Sequence, residues 1–354
     1  MFDIVIIGAG ISGLVCAQQL HQAGYKVLVV EKSRGLGGRV ATRRLHETCA
    51  DFGTCYLNPQ DELLQRFVEL LVQQNILQIW TDTTYEFDAN LQQLTVRRRS
   101  PIYTAAKGMS AIARFLAAGL EIQLNQRVVG ISTVADNWCL QLETTNATTQ
   151  ITAKAVVVAI PAPQALTLLE PIAVSHEFLA NLRSVEFAPC ISVIAGYPSM
   201  QSNFDWQAVT VVNDDNLAWI GLDSSKRAEK RSPIFVLHSS AQFAQNYLES
   251  TDLQPIGQKL LTRAAENLLA ELETPELMQV HRWRYAFPTS PLVDTSLNAN
   301  TPQPLVCCGD WCGGNLVTGA MQSGISAAEQ INRQMSGQLL PGNSFLDKLA
   351  ATKQ

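Results

Sequence analysis

The residues that could do chemistry gather toward the two ends of the chain. Near the C-terminus, "VCCGDWCGGNLVTGAMQSG" (306–324) sets three cysteines, an aspartate and a run of small residues side by side. Thiols so placed suggest a metal, a disulfide or a redox pair. A zinc site wants four ligands, and this stretch has no histidine beside it and no second cysteine pair. No metal is expected. Near the N-terminus, "GAGISG" (8–13) offers backbone N–H groups at a helix start, ready to meet phosphate charge. Gly8 permits the tight turn, Gly10 lets the backbone approach a pyrophosphate, and Gly13 lets the helix lie close on the strand, with Ile11 and Ser12 supplying amides between. Glu31 follows 18 residues after Gly13, where a carboxylate can accept hydrogen bonds from ribose hydroxyls, with Lys32 beside it.

These residues need elements to hold them. "FDIVII" is a short apolar run, as expected for a strand buried on both faces. "LVCAQQLHQAG" spaces Leu14, Ala17 and Leu20 for a helix that Gly24 stops, and "KVLVVE" is a second strand. Strand, glycine turn, helix and strand make a dinucleotide-binding βαβ unit. Further on, 61–75 and 108–120 read as helices, 76–100 as short strands, and "AKAVVVAIPAPQAL" as a buried strand stopped by Pro161. Residues 184–240 are strand-rich, "IGQKLLTRAAENLLAELE" is a helix, and "DTSLNANTPQP" (294–304) is the best linker.

A chain of 354 residues can hold two domains, and 47% hydrophobic residues suffice for a full core. A net charge of −5 gives no bulk case for nucleic acid or an anionic membrane. The one basic run, Arg97 to Arg99, reads as a solvated strand end or an anion contact. Eight scattered cysteines without a Cys-x-x-Cys pair, Cys16, Cys139 and Cys190 among them in apolar company, suit a reduced compartment. With neither a secretory leader nor an apolar membrane span expected, the expected localisation is cytoplasmic.

The segment after Glu31 narrows the cofactor. "EKSRGLGGRVATRR" adds a second glycine cluster and Arg39, whose guanidinium can reach a diphosphate. Together these motifs resemble the N-terminal segment of the flavin amine oxidase superfamily. The resemblance implies noncovalent FAD and an α/β fold: an FAD-binding Rossmann-like domain of glutathione reductase/amine oxidase type with a second, strand-rich substrate domain. It implies FAD contacts from Gly38 and Arg39, from Val128 through its backbone at the adenine, from Gly309 and Asp310 at the ribityl and phosphate region, and from Ala320 and Met321 in a helix start facing the flavin ring. A cysteine of "CCGDWC" keeps a covalent-flavin or redox role open. The expected FAD domain is 1–70, 101–163 and 301–336, the substrate domain 71–100 and 164–300, and 337–354 a C-terminal tail.

Within the superfamily, "ADFGTCYL", "IGLDSSKR", "VLHSS" and "HRWRYAFP" resemble the renalase-like oxidoreductases. That resemblance implies oxidation of mis-reduced dihydronicotinamide dinucleotides, with oxygen as acceptor, and a pocket containing Tyr56, His238, Trp283 and Arg284. Ser224 departs from it, standing where asparagine is usual. Each pocket residue has a second reading, Tyr56 as core and His238 as a structural histidine. The remaining histidines, His21, His46, His176 and His281, read as surface or structural. Amine oxidation, desaturation, or a flavin-binding module without catalysis are the other readings. An amine oxidase would favour an aromatic cage, which seven tyrosines and six tryptophans could supply but do not visibly cluster to form.

Overall fold

The computed structural model describes residues 1–46, 48–143, 148–200, 202–227, 232–314, 316–335 and 337–351. Its first sheet forms around the N-terminal strand Phe2–Ile7, which pairs in parallel with Val27–Val30 on one side and with Thr148–Val158 on the other. Glu121–Gln123 and Leu305–Cys307 extend the parallel set outward, and Leu297–Asn298 closes one edge antiparallel. Strands so placed must be apolar on both faces. Alternate residues divide accordingly: Ile4, Ile6, Val27 and Val29 enter one core with the helices Ile11–Gln22, Glu62–Gln73 and Leu316–Gln334. Val5, Ile7, Leu28 and Val30 enter another, under the strands Arg127–Val134 and Asn137–Glu143 and the helices Ala162–Leu169 and His176–Ser184.

The second sheet has seven strands in the order Leu277–Pro288, Phe187–Gly196, Ile234–Ser239, Leu217–Leu222, Ala208–Val212, Gln78–Asp88 and Gln93–Thr104. One face packs Ile191, Val193, Phe235 and Leu237 against the helix Gln254–Asn267. The opposite face turns toward the first sheet's domain, where Ile194, Ile234 and Val236 meet Ala50, Phe52 and Cys55.

The elements cut across the ranges expected from sequence. Helix Glu62–Gln73 spans the expected break at 70/71 and packs Leu64, Phe67, Val68 and Leu71 into the first core. Strand Gln93–Thr104 crosses the break at 100/101. Phe178 and Leu182 of the 164–300 range lie in the first domain's core. The segment 294–304 is no free linker, because Leu297 and Ala299 are buried and Leu297–Asn298 pairs as a strand. Phe345, Leu346 and Leu349 of the expected tail are buried in the first core, so apolar spacing too short to stand out in the sequence docks a C-terminal helix.

Candidate active site

The glycine turn is shaped for close approach on one side and left open on the other. Gly8 has φ +106°, and a Cβ there would lie 2.5 Å from the Ala159 carbonyl oxygen. A Cβ on Gly13 would meet the Gly8 carbonyl at 2.1 Å, which fixes the helix directly on the turn. By contrast a Cβ on Gly10 meets nothing within 4 Å. Gly10 caps the helix Ile11–Gln22 without any side-chain hydrogen bond, so the amides of Ile11, Ser12 and Gly13 remain for an anion. The Ser12 hydroxyl is buried beside the Cys308 thiol, with no partner in hydrogen-bond geometry among the described residues. Open space, free helix-start amides and an unpaired buried hydroxyl fit a bound diphosphate.

Glu31 stands at the end of this cradle, buried, with one carboxylate oxygen accepting from Ala9 N–H at 2.8 Å and the other from Ser33 N–H at 2.8 Å. Each oxygen keeps a lone pair for a ribose hydroxyl. Gln126 N–H reaches the Glu31 carbonyl at 2.9 Å, which brings the strand carrying Val128 alongside. Lys32 is exposed and points to Gln164.

On the opposite side, Arg39 bridges the two domains. It donates to the Ala286 carbonyl at 2.8 Å and to the Asp310 carboxylate at 2.5 Å. Gly38, at φ +58°, lets the chain pass within van der Waals distance of Gly10. Gly309 N–H is held by the Ser323 hydroxyl at 2.9 Å. Helix Leu316–Gln334 follows: Ala320 lies at the edge of the core and Met321 is fully buried in it. A Cβ on Gly324 would meet the Ser12 carbonyl at 2.4 Å, so small residues of "TGAMQSG" serve the crossing with the first helix. Cys307, Cys308 and Cys312 are buried, and burial pushes their thiols far up, Cys308 to about 12.

Facing this cradle, the second sheet carries one continuous transverse row. His281 pairs with Ser192, Ser192 with His238, His238 with Trp219, Trp219 with Thr210, and Thr210 with Glu86. Directly paired residues share a face, so this row crosses six strands on one side. Ser192 is fully buried at its centre, with no partner for its hydroxyl among the described residues. Tyr56 joins the row from the Asp51–Leu57 segment, 6.1 Å from Trp219 and 6.2 Å from Trp80 by ring centroids. A second cluster stacks Phe52 on Trp283 at 5.2 Å with His281 edge-on at 4.4 Å from Trp283. Aromatic residues scattered along the sequence are thus gathered by strand register into two clusters.

The Phe52 carbonyl ties the segment to the sheet, accepting from Trp283 Nε1 at 3.0 Å and from His238 Nε2 at 3.3 Å. Burial lowers the His238 pKa to about 4, and burial with the nearby Arg43 and Arg282 charges lowers His281 to about 4. Tyr56, His238 and Trp283 therefore come together. Arg284 does not: next to Trp283 in an extended strand, it turns to the other side and pairs with the exposed Glu249. Ser224 accepts from Ile234 N–H at 3.1 Å, within its own domain.

Beside the aromatic cluster lies a buried group of four charges. Lys226 Nζ is 2.5 Å from Asp223 and 3.3 Å from Asp51, and Arg227 is 2.9 Å from Asp223 and 3.3 Å from Asp51. Asp51 also accepts from Met109 N–H and the Thr42 hydroxyl. Sequence reasoning missed Asp51, Ser192, Trp219 and His281; only the two-residue spacing of His281 and Trp283 hinted at a shared face. Among the described residues there is no helix long and apolar enough to cross a membrane, and no group of three or more residues able to hold a metal.

Residues 86–332 match the family described as flavin containing amine oxidoreductase, and residues 6–71 match an NAD(P)-binding Rossmann-like domain. The chain is 43% identical over 72 residues to amine oxidase [flavin-containing] A of Equus caballus, a stretch covering 20% of this chain and 14% of that protein. It is 38% identical over 66 residues to an L-amino-acid oxidase of Sistrurus catenatus edwardsii, covering 19% and 13%. The chain thus matches only about a seventh of the length of these curated relatives. A solved structure of putrescine oxidase bound to putrescine shares the fold over 94% of this chain and 99% of that one, with TM-score 0.71 at 14% identity.

Proposed function

The chain belongs to the flavin-containing amine oxidoreductase family, and from that premise we propose that it is an FAD-dependent oxidoreductase of renalase type. It oxidises dihydronicotinamide dinucleotides reduced at the wrong ring position to NAD(P)+, with oxygen taken to hydrogen peroxide. When bound, FAD would supply a hydride acceptor at N5 and a route for the two electrons, with a proton from solvent, to oxygen. Residues Gly8 to Gly13, Glu31, Gly38, Arg39, Val128, Gly309, Asp310, Ala320 and Met321 would hold it, without a covalent bond. Buried thiols with raised pKa, at Cys307, Cys308 and Cys312, support the noncovalent reading.

One observation carries the choice of substrate: among the described residues, the sheet face opposite the cradle offers no strong base. Burial leaves His238 and His281 only weakly basic, and Lys226 is locked between two aspartates. A dihydropyridine becomes aromatic on losing hydride and needs no proton removed. The residues have only to orient it and exclude water. Tyr56, Trp80 and Trp219 offer ring faces for a flat donor, while Trp283 and His238 fix the Phe52 segment beside them.

The same aromatic cluster favours amine oxidation as the second reading. An anaerobic screen of flavin bleaching separates the two. Dihydronicotinamide isomers are expected to bleach the flavin fastest, ordinary NAD(P)H much more slowly, and oxygen to restore the colour with peroxide. Faster bleaching by amines would make the protein an amine oxidase. A flavin that no donor bleaches would make it a binding module.

A further inference from the structure

The transverse row does not end at the aromatic cluster. Beyond Trp219 it continues through Thr210 to Glu86, and Arg97 of the outermost strand lies over that end, paired with Glu86 and donating to the Thr210 hydroxyl. Arg98 follows beside Thr84, exposed, with no carboxylate among the described residues in ion-pair distance. Both guanidinium groups are near enough to Tyr56 that their charge counters the rise that burial gives its phenol. One sheet face thus runs from neutral, half-buried His281 and His238 around buried Ser192, past flat aromatic rings, to an exposed cationic edge. From the Trp219 strand to the Arg98 strand is three strand spacings, or about 14 Å. That span is too long for a small amine and suits a dinucleotide lying across the strands.

We propose that Arg98, with Arg97 positioned beside it by Glu86 and Thr210, binds the phosphate arm of the substrate and sets specificity for nucleoside diphosphates. The proposal rests on the dihydronicotinamide reading only for the identity of the ring at the inner end. An unpaired guanidinium is suited to phosphate because its planar donors match the phosphate oxygens. The ordinary role of arginines on an edge strand is to block pairing with another chain. Such a role would make them indifferent to phosphate.

The test compares FAD-loaded wild type with Arg98→Glu, first checked for equal FAD content. Calorimetry with ADP-ribose reads the arm alone. Anaerobic bleaching compares dihydronicotinamide dinucleotide isomers with phosphate-free N-methyl dihydronicotinamide. Arg98→Glu should weaken ADP-ribose binding roughly tenfold or more, raise half-saturation by the dinucleotide equally, and leave its saturating rate unchanged. The phosphate-free donor should not notice the substitution. Unchanged ADP-ribose binding, or an equal shift for the phosphate-free donor, would overturn the proposal. If no dihydronicotinamide bleaches the flavin yet ADP-ribose binds and Arg98→Glu abolishes that binding, the arm stands and the ring assignment fails. If the isomers bleach the flavin but the wild type does not bind ADP-ribose, the reverse holds.

Discussion

The Nε2 atom of His238 lies 3.3 Å from the carbonyl oxygen of Phe52. A carbonyl only accepts, so Nε2 carries the proton and the neutral ring keeps Nδ1 as an acceptor. Cys55 turns its own thiol hydrogen to the Asp51 carbonyl at 2.9 Å, and its sulfur lies 3.8 Å from the same Nε2.

Burial lowers the His238 pKa to about 4, below the ordinary 6.5. The folded form therefore takes up its proton later than the unfolded chain does. Stability from this residue is complete above pH 6.5 and is lost as pH falls through about 4. The loss should be on the order of 2 kcal/mol, less than the full shift because the ring is partly exposed. Urea unfolding at pH 7 and pH 5 should show a smaller drop for His238→Gln than for wild type. An equal drop in both proteins would mean that His238 is not held neutral.

Glu31 has two tasks, and they can be separated. Its oxygens already satisfy the amides of Ala9 and Ser33 before any ribose arrives. Glu31→Ala should destabilise the flavin-free protein by about 1–3 kcal/mol, chiefly through the buried Ala9 amide left without its acceptor. It should also weaken FAD retention by about 1.5–3 kcal/mol if charge-assisted bonds to ribose are lost. Thermal unfolding of the flavin-free protein reads the first effect, and FAD occupancy after dilution the second. Normal occupancy alongside reduced stability would remove the ribose contact and keep the structural one.

The contrast between the two halves of the site explains what could be read in advance. Gly8, Gly13 and Glu31 act within one βαβ unit, so their spacing along the chain is nearly their spacing in space. The second-sheet face is built differently. Ser192, His238 and His281 become neighbours only because three antiparallel strands share a register, and no local pattern announces a register between strands so far apart in sequence. Asp51 meets Asp223 and Lys226 across a domain boundary, where a short helical turn rather than any strand register brings them together. Lys226 was legible as part of an Asp-then-Lys/Arg signature, but its partner in the other domain was not.

That boundary yields the next prediction. Burial alone would lower the Lys226 pKa, yet Asp223 and Asp51 hold it above its ordinary value. Lys226→Met would leave two buried carboxylates with Arg227 as their one remaining cation among the described residues. Breaking such a network should cost about 3–5 kcal/mol, whereas replacing a whole ion pair with apolar side chains is often far milder. Lys226→Met with Asp223→Leu should therefore lose much less than the sum of the two single changes. Chemical denaturation of the four proteins in the cycle measures this. Additive losses would mean that the charges do not act as a unit.

Trp283 and Arg284 are adjacent, and one strand assigns them opposite tasks. Trp283 stacks on Phe52 at 5.2 Å and donates to its carbonyl at 3.0 Å, so it holds the segment that carries Tyr56. Arg284 reaches outward to Glu249, whose side chain is 78% exposed. Salt and solvent screening leave such a pair little influence. Trp283→Phe keeps the ring but removes the donor, and should cost about 0.5–1.5 kcal/mol of stability. It should also slow flavin bleaching, because the Phe52 carbonyl then keeps only His238. Arg284→Ala should match wild type in unfolding midpoint and in bleaching rate. The paired variants are measured by urea unfolding and by anaerobic bleaching with the fastest donor. A slow Arg284→Ala beside a normal Trp283→Phe would reverse the assignment, and would mean that in the loaded protein the strand presents its other face to the substrate.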